Sequence, residues 1–192
     1  PSVFVDFSIP KHRVINREFY ENATSVVVLS SVCKEVLEKN LELTNVHSIG
    51  CSLWTKEKFE LIRELSKNKK DSGTVIVESK NPTKGMPAAI QLCEQRGMEY
   101  SFISSADEEE FLNMLSKAER LVFVPQVLET FCRLVAEAKM LGCKVITMPK
   151  LLGFSSEDCF SMNREELTGE LERRVENAIG FFKDSLDSPS KK

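Results

Sequence analysis

From residue 73 onward, short runs rich in Val, Ile and Phe, each bounded by turn residues, alternate with longer segments whose apolar positions recur at helical spacing. That alternation is the signature of βαβ units around a parallel sheet. It predicts strands at 74–78, 100–103, 121–124 and 144–147, with helices at about 86–96, 106–118 and 130–141. Ser105-Ala106-Asp107-Glu108 matches a capping box for the second of these helices, whose apolar stripe is Phe111, Leu112 and Leu115. Gly142 ends the third, where a left-handed residue satisfies the last carbonyls. A final amphipathic helix is predicted at about 163–183 through Leu167, Leu171, Val175, Ile179 and Phe182, ahead of a frayed tail at 185–192.

Residues 1–72 repeat the alternation more faintly, with strands at 3–5, 25–29 and about 46–49 and helices at about 14–22, 31–39 and 55–68. The polar stretch from Lys67 to Gly73 breaks helical periodicity just before a strong strand and marks the internal boundary. No repeat of fixed period interrupts this plan.

Composition narrows the function classes. With 192 residues, 42% of them hydrophobic, the chain can bury one sizeable core, as one compact unit or as half of something larger. A net charge of −3 removes the electrostatic case for nucleic-acid binding, and Lys67-Asn68-Lys69-Lys70 reads as solvated loop. No apolar run approaches the roughly 20 residues of a membrane span, so a soluble, cytoplasmic protein is expected, with peripheral membrane association left open. The six cysteines contain no C-x-x-C pair and only His12 and His47 accompany them, which favours buried thiols over disulfides or a metal site.

Ligands of open parallel sheets bind beyond the carboxyl ends of the strands, and two loops there carry chemistry. The first, Ser79-Lys80-Asn81-Pro82-Thr83-Lys84-Gly85, sets two lysines four residues apart before a helix, as a phosphate site would; an ordinary solvated turn would read the same. The second runs from Pro125 to Ala138 and holds Glu129 and Glu137. If both were helical they would stand two turns, roughly 12 Å, apart on similar sides. One would accept hydrogen bonds from a sugar and the other from a ribose, with a diphosphate between them at amides near Thr130 to Arg133.

Strand, Pro, E-x-F-x-R-x-x-x-E-A and a closing Gly-x-x-Val together resemble the donor-binding half of the retaining GT-B glycosyltransferases, their E-x7-E motif included. Lys84-Gly85 also lies where that family places its phosphate-binding lysine. The resemblance covers about 73–148 well and 19–60 more weakly. It implies an α/β fold, a Rossmann-like parallel sheet with flanking helices of GT-B type, with the acceptor half largely missing. By the same resemblance, 1–72 is a partial acceptor-side and hinge segment packed on the core, and 73–184 is the nucleotide-sugar donor-binding domain.

The implied reaction moves a sugar, with retention, from a UDP- or GDP-type donor to an unidentified glycan, lipid or protein acceptor. Glu129 and Lys84 are implied as catalytic. Lys80, Lys84, Gly85, Glu129, Thr130, Phe131, Cys132, Arg133 and Glu137 are implied as donor-binding. Lys84 and a helix dipole would stabilise the departing diphosphate, so no metal is implied. Cys132 stands where the family usually has Gly, which implies a reshaped sugar pocket. The partner is then either an N-terminal half or a second copy, and a catalytically silent nucleotide- or partner-binding module is the alternative. Trp54 is read as a packing anchor, with stacking on a base as the other reading.

Overall fold

A computed structural model describes residues 16–187; the strand expected at 3–5, the first residues of the helix expected at 14–22, His12 and the last five residues lie outside them. Seven helices and six strands follow in order: α1 (Arg17–Asn22), β1 (Val26–Val28), α2 (Ser31–Leu41), β2 (Val46–Ser48), α3 (Lys56–Leu65), β3 (Thr74–Val77), α4 (Met86–Gln95), β4 (Ser101–Ile103), α5 (Glu108–Lys117), β5 (Arg120–Phe123), α6 (Arg133–Met140), β6 (Lys144–Thr147) and α7 (Arg164–Asp187). All strand pairing between them is parallel, in a four-stranded sheet of order β4-β3-β5-β6 and a two-stranded sheet β1-β2.

The two-residue period of the strands sorts the core. Val75, Leu121 and Phe123 face a large cluster with α3, α5, α6 and α7, whereas Ile76, Val122 and Val124 face α4 through Ala89 and Cys93. Both faces of the sheet are therefore covered, which is why these strands carry unbroken apolar runs. A third, separate cluster of Val26, Leu41, Leu43 and Val46 forms around β1, β2 and α2. Although α3 lies before the polar stretch at 67–73, its Phe59 and Ile62 are buried in the large cluster, so by packing it belongs with the residues after 73. All six cysteines are buried free thiols.

Several expectations change. Asp107, not Ser105, caps α5, its side chain accepting from the Glu110 N–H, while Ser105 Oγ accepts from Asp107 N and donates to Glu110. The tail residues 185–187 continue α7 rather than fraying. Lys70 is no solvated loop residue: its ammonium donates to the carbonyls of Ser116 and, at 2.6 Å, Leu141, neutralising the negative ends of α5 and α6 together.

Arg174 on α7 ties the small cluster to the large one. Its guanidinium donates to Glu157 Oε2 at 2.8 Å, Glu170 Oε1 at 2.8 Å, the Gly50 carbonyl at 3.0 Å and Asp158. Glu157 in turn accepts from the Ser31 N–H at 2.7 Å, capping α2 in place of Ser30. Hydrogen bonds from Arg173, and then Arg174, hold Glu170 down to about 2 against the opposing cost of burial. A carboxylate depressed from an unfolded value near 4.3 contributes stability that is present above that pH and lost as pH falls toward 2. The urea midpoint is expected to drop more steeply between pH 5 and 2 in the parent than in Glu170→Gln; equal slopes would remove this role.

Candidate functional site: a cavity at the carboxyl ends of the strands

A cavity of about 470 Å³ opens at the carboxyl end of the larger sheet. Seven of the nine expected site residues line it: Lys84, Glu129, Thr130, Phe131, Cys132, Arg133 and Glu137. Lys80 does not. The Asn81 side chain accepts from the Thr83 N–H and folds Pro82–Lys84 into a 3₁₀ turn, which Gln126 N anchors at the Thr83 carbonyl, so Lys84 swings in while Lys80 stays exposed. Gly85 does not line the cavity either. Its φ is +69°, and a Cβ there would sit 1.7 Å from the Val124 carbonyl oxygen, so this glycine lets the turn lie against the end of β5.

The helix expected at 130–141 begins only at Arg133, because Cys132 adopts a left-handed conformation with φ 80° and ψ 76°. Glu129 is therefore not on the helix two turns from Glu137. It lies in an extended segment that pairs in parallel with Leu152: Glu129 N donates to Leu151 O at 2.9 Å, and Gly153 N to Glu129 O at 2.7 Å. Gly153 is required there, since a Cβ would lie 2.1 Å from the Thr130 carbonyl. That carbonyl also accepts from Ser30 Oγ at 2.6 Å, fixing the loop to the start of α2.

Two charged pairs sit in the cavity. Lys84 Nζ is 2.9 Å from both oxygens of Glu129. Arg133 reaches Glu137 Oε1 from the preceding turn, with Nη2 at 3.1 Å, and also donates to Glu108 at 3.0 Å. Glu108 pairs with Lys58 on α3, and hydrogen bonding to Lys58, then the charge of Lys58 and of Arg133, lower its pKa. Trp54 is the packing anchor, buried against Phe59 and Phe131, and it also donates its indole N–H to Glu137 Oε1 at 2.8 Å.

The first-turn amides of α6 have no acceptor within the helix, and the Cys132 side chain at the N-cap makes no capping hydrogen bond. They present the positive end of a helix dipole beside Thr130, Phe131 and Cys132 in the cavity wall. The α4 start, with Pro in its first turn, contributes no lining residue. Burial pushes the Cys132 thiol up to about 12, so it stays protonated. A non-glycine residue in the left-handed region costs roughly 1 to 2 kcal/mol. In Cys132→Gly that relief offsets the lost sulfur contacts and the added unfolded-chain entropy, each of about 1 kcal/mol. The glycine variant is expected to melt close to the parent and Cys132→Ala below it; the reverse order would deny the strain.

Eight lining residues lie beyond the nine expected ones: Leu29, Ser52, Val77, Glu78, Ser79, Phe111, Phe123 and Leu134. Val77 and Phe123 lie at the ends of predicted strands, where the strand-end rule points, but Leu29 and Ser52 arrive from the first third of the chain without local signal. His47 is absent from this cavity; its ring packs 5.1 Å from Phe181 on α7. Among the described residues no three His, Cys, Asp or Glu side chains cluster as a metal site, and no helix is long and apolar enough to cross a membrane.

The parallel α/β architecture with helices on both sheet faces matches the fold of solved glycosyltransferases of GT-B type. A solved structure similar to it is sucrose-phosphate synthase from Thermosynechococcus elongatus, with 15% identity over 88% of this chain and a TM-score of 0.58. The match spans 60% of that protein's chain. HepE from Anabaena, solved with UDP, is similar at 15% identity over 84% of this chain and 57% of its own, with a TM-score of 0.47. No protein-family model matches the sequence, and no curated protein matches it.

Proposed function

We propose that the cavity binds a nucleoside-diphosphate sugar of UDP or GDP type, and that the chain acts as the donor-binding part of a retaining glycosyltransferase. The observation that carries this reading is the convergence on one cavity of Lys84 from its 3₁₀ turn, Glu129 from the segment paired with Leu152, and α6 with its first turn and Glu137. In the reading, Glu137 accepts from the ribose hydroxyls and Glu129 from the sugar. The diphosphate rests on the α6 amides and on Lys84. As the bond from the anomeric carbon to the diphosphate oxygen breaks, negative charge grows on that oxygen, and the Lys84 ammonium and the helix dipole stabilise it. An acceptor hydroxyl from a glycan, lipid or protein then bonds to the anomeric carbon on the face the diphosphate left, and its proton passes to the departing diphosphate oxygen.

The Lys84–Glu129 pair gives this chemistry a latch. With no ligand the two charges neutralise each other, and a diphosphate takes over the lysine while the sugar takes over the carboxylate. Calorimetric titration with UDP-, GDP- and ADP-linked sugars tests the reading. One base family is expected to bind, and Lys84→Ala to weaken it by about 1.5 to 3 kcal/mol, the worth of a charged hydrogen bond. Unchanged affinity in Lys84→Ala would reject the assignment. The strained side chain at Cys132, in the wall where the sugar would lie, favours a second reading, a nucleotide-binding module that transfers nothing. Release of free nucleotide from a labelled nucleotide sugar would exclude it.

A further inference from the structure

We propose that Trp54 is a positioning residue, whose indole N–H aims the Glu137 carboxylate at the ribose hydroxyls of a bound nucleotide. The inference rests on the nucleotide reading above and adds a residue from outside the motif. Glu137 is buried, and a buried carboxylate needs its charge satisfied. Among the described residues its Oε1 takes every hydrogen bond the side chain receives: Trp54 Nε1 at 2.8 Å, and Arg133 Nε and Nη2 at 3.3 and 3.1 Å. Oε2 has no donor among the described residues and keeps some exposure, and Glu137 lines the cavity. One oxygen is thus the anchor and the other is the open acceptor.

Anchoring matters because the terminal torsion of a glutamate is broad and does not fix the carboxylate plane by itself. Trp54 supplies a rigid donor. It is 5% exposed, and Phe59 and Phe131 hold its ring edge to face at 5.8 and 5.9 Å. The next residue, Thr55, caps α3 through its side chain, so the backbone on that side of the indole is pinned as well. Arg133 is the looser of the two donors, since it divides itself between Glu137 and Glu108. Without the indole, the carboxylate follows Arg133 and Oε2 loses its fixed direction toward a ribose diol.

The chain has one tryptophan, so all of its tryptophan fluorescence comes from Trp54 and its surroundings, the Glu137 contact among them. The test compares UDP and GDP with their 2′,3′-dideoxy forms, by calorimetry on the parent and Trp54→Phe and by tryptophan emission on the parent. The parent is expected to prefer a ribonucleotide over its dideoxy form by about tenfold, the worth of a charge-assisted hydrogen bond. Trp54→Phe is expected to cut that preference to about twofold, through weaker ribonucleotide binding with dideoxy affinity unchanged. A role limited to packing would weaken both forms alike, and a preference that survives the substitution overturns the proposal while leaving the nucleotide reading intact. A parent that shows no ribose preference overturns both. In the parent, emission is expected to change with the ribonucleotide and not with the dideoxy form; equal changes overturn the proposal even if Trp54→Phe does not fold.

Discussion

UDP or GDP, free or sugar-linked, at about 100 times its dissociation constant is expected to raise the thermal unfolding midpoint by roughly 5 to 10 °C. The size follows from mass action. Ligand that binds only the folded chain at that excess adds about 2.7 kcal/mol, and a domain of this length gains about 2 to 4 °C for each kcal/mol. Glu137→Gln separates specific from incidental binding. It keeps the shape of the side chain and an acceptor for Trp54, but replaces a charged acceptor with an amide whose nitrogen is a donor. Its ligand-induced shift, measured from its own midpoint, is expected to fall by at least half. A full shift in Glu137→Gln would move the ribose away from Glu137, and no shift with any nucleotide in the parent would leave the cavity without a nucleotide role.

Arg174→Met is expected to destabilise the fold by about 3 to 5 kcal/mol, the cost of breaking a buried ion pair and stranding one partner. The stranded partner is Glu157, whose side chain is 6% exposed against 14% for Arg174. Methionine fills much of the volume, so the loss reads the charge rather than a hole. Three further contacts go with it, to Glu170, Asp158 and the Gly50 carbonyl. The Gly50 contact explains that glycine, since a Cβ there would lie 2.5 Å from Arg174 Nη1. In urea the midpoint should fall sharply, and adding Glu157→Gln should restore a good part of it, because the amide oxygen still accepts from Ser31 N while no buried charge is left unpaired. A loss under about 1 kcal/mol in Arg174→Met would show that the joint between the two clusters rests on apolar contact instead.

The four strands of the main sheet were legible because each is an apolar run cut off by turn residues, and that information lies in neighbouring positions. The helices were legible for the same reason, within a few residues at their ends. The start of α6 was misread by three residues. Thr130, Phe131 and Cys132 have nothing locally against helix, and what stops it is the pairing of Glu129 with Leu152 and the left-handed turn at Cys132 that follows. Glu129 and Glu137 thus line one cavity, but not as two positions two turns apart on one helix. Lys80 failed in a similar way, because the Asn81 turn decides which of the two lysines faces inward.

By itself the sequence determined the alternation of strands and helices, the parallel sheet over 74–147, and the shared neighbourhood of Lys84, Glu129 and Glu137, since these follow from periodicity and from loops placed at strand ends. Only the tertiary structure decided that α3 packs with the main core, that Lys84 is paired with Glu129, that Arg174 joins the two clusters, and that Trp54 leaves one oxygen of Glu137 open. The hydrogen bonds that make these contacts join residues 17 to 126 positions apart in the chain. Local pattern fixes each element's type and inward face, whereas the path of the backbone fixes which side chains meet.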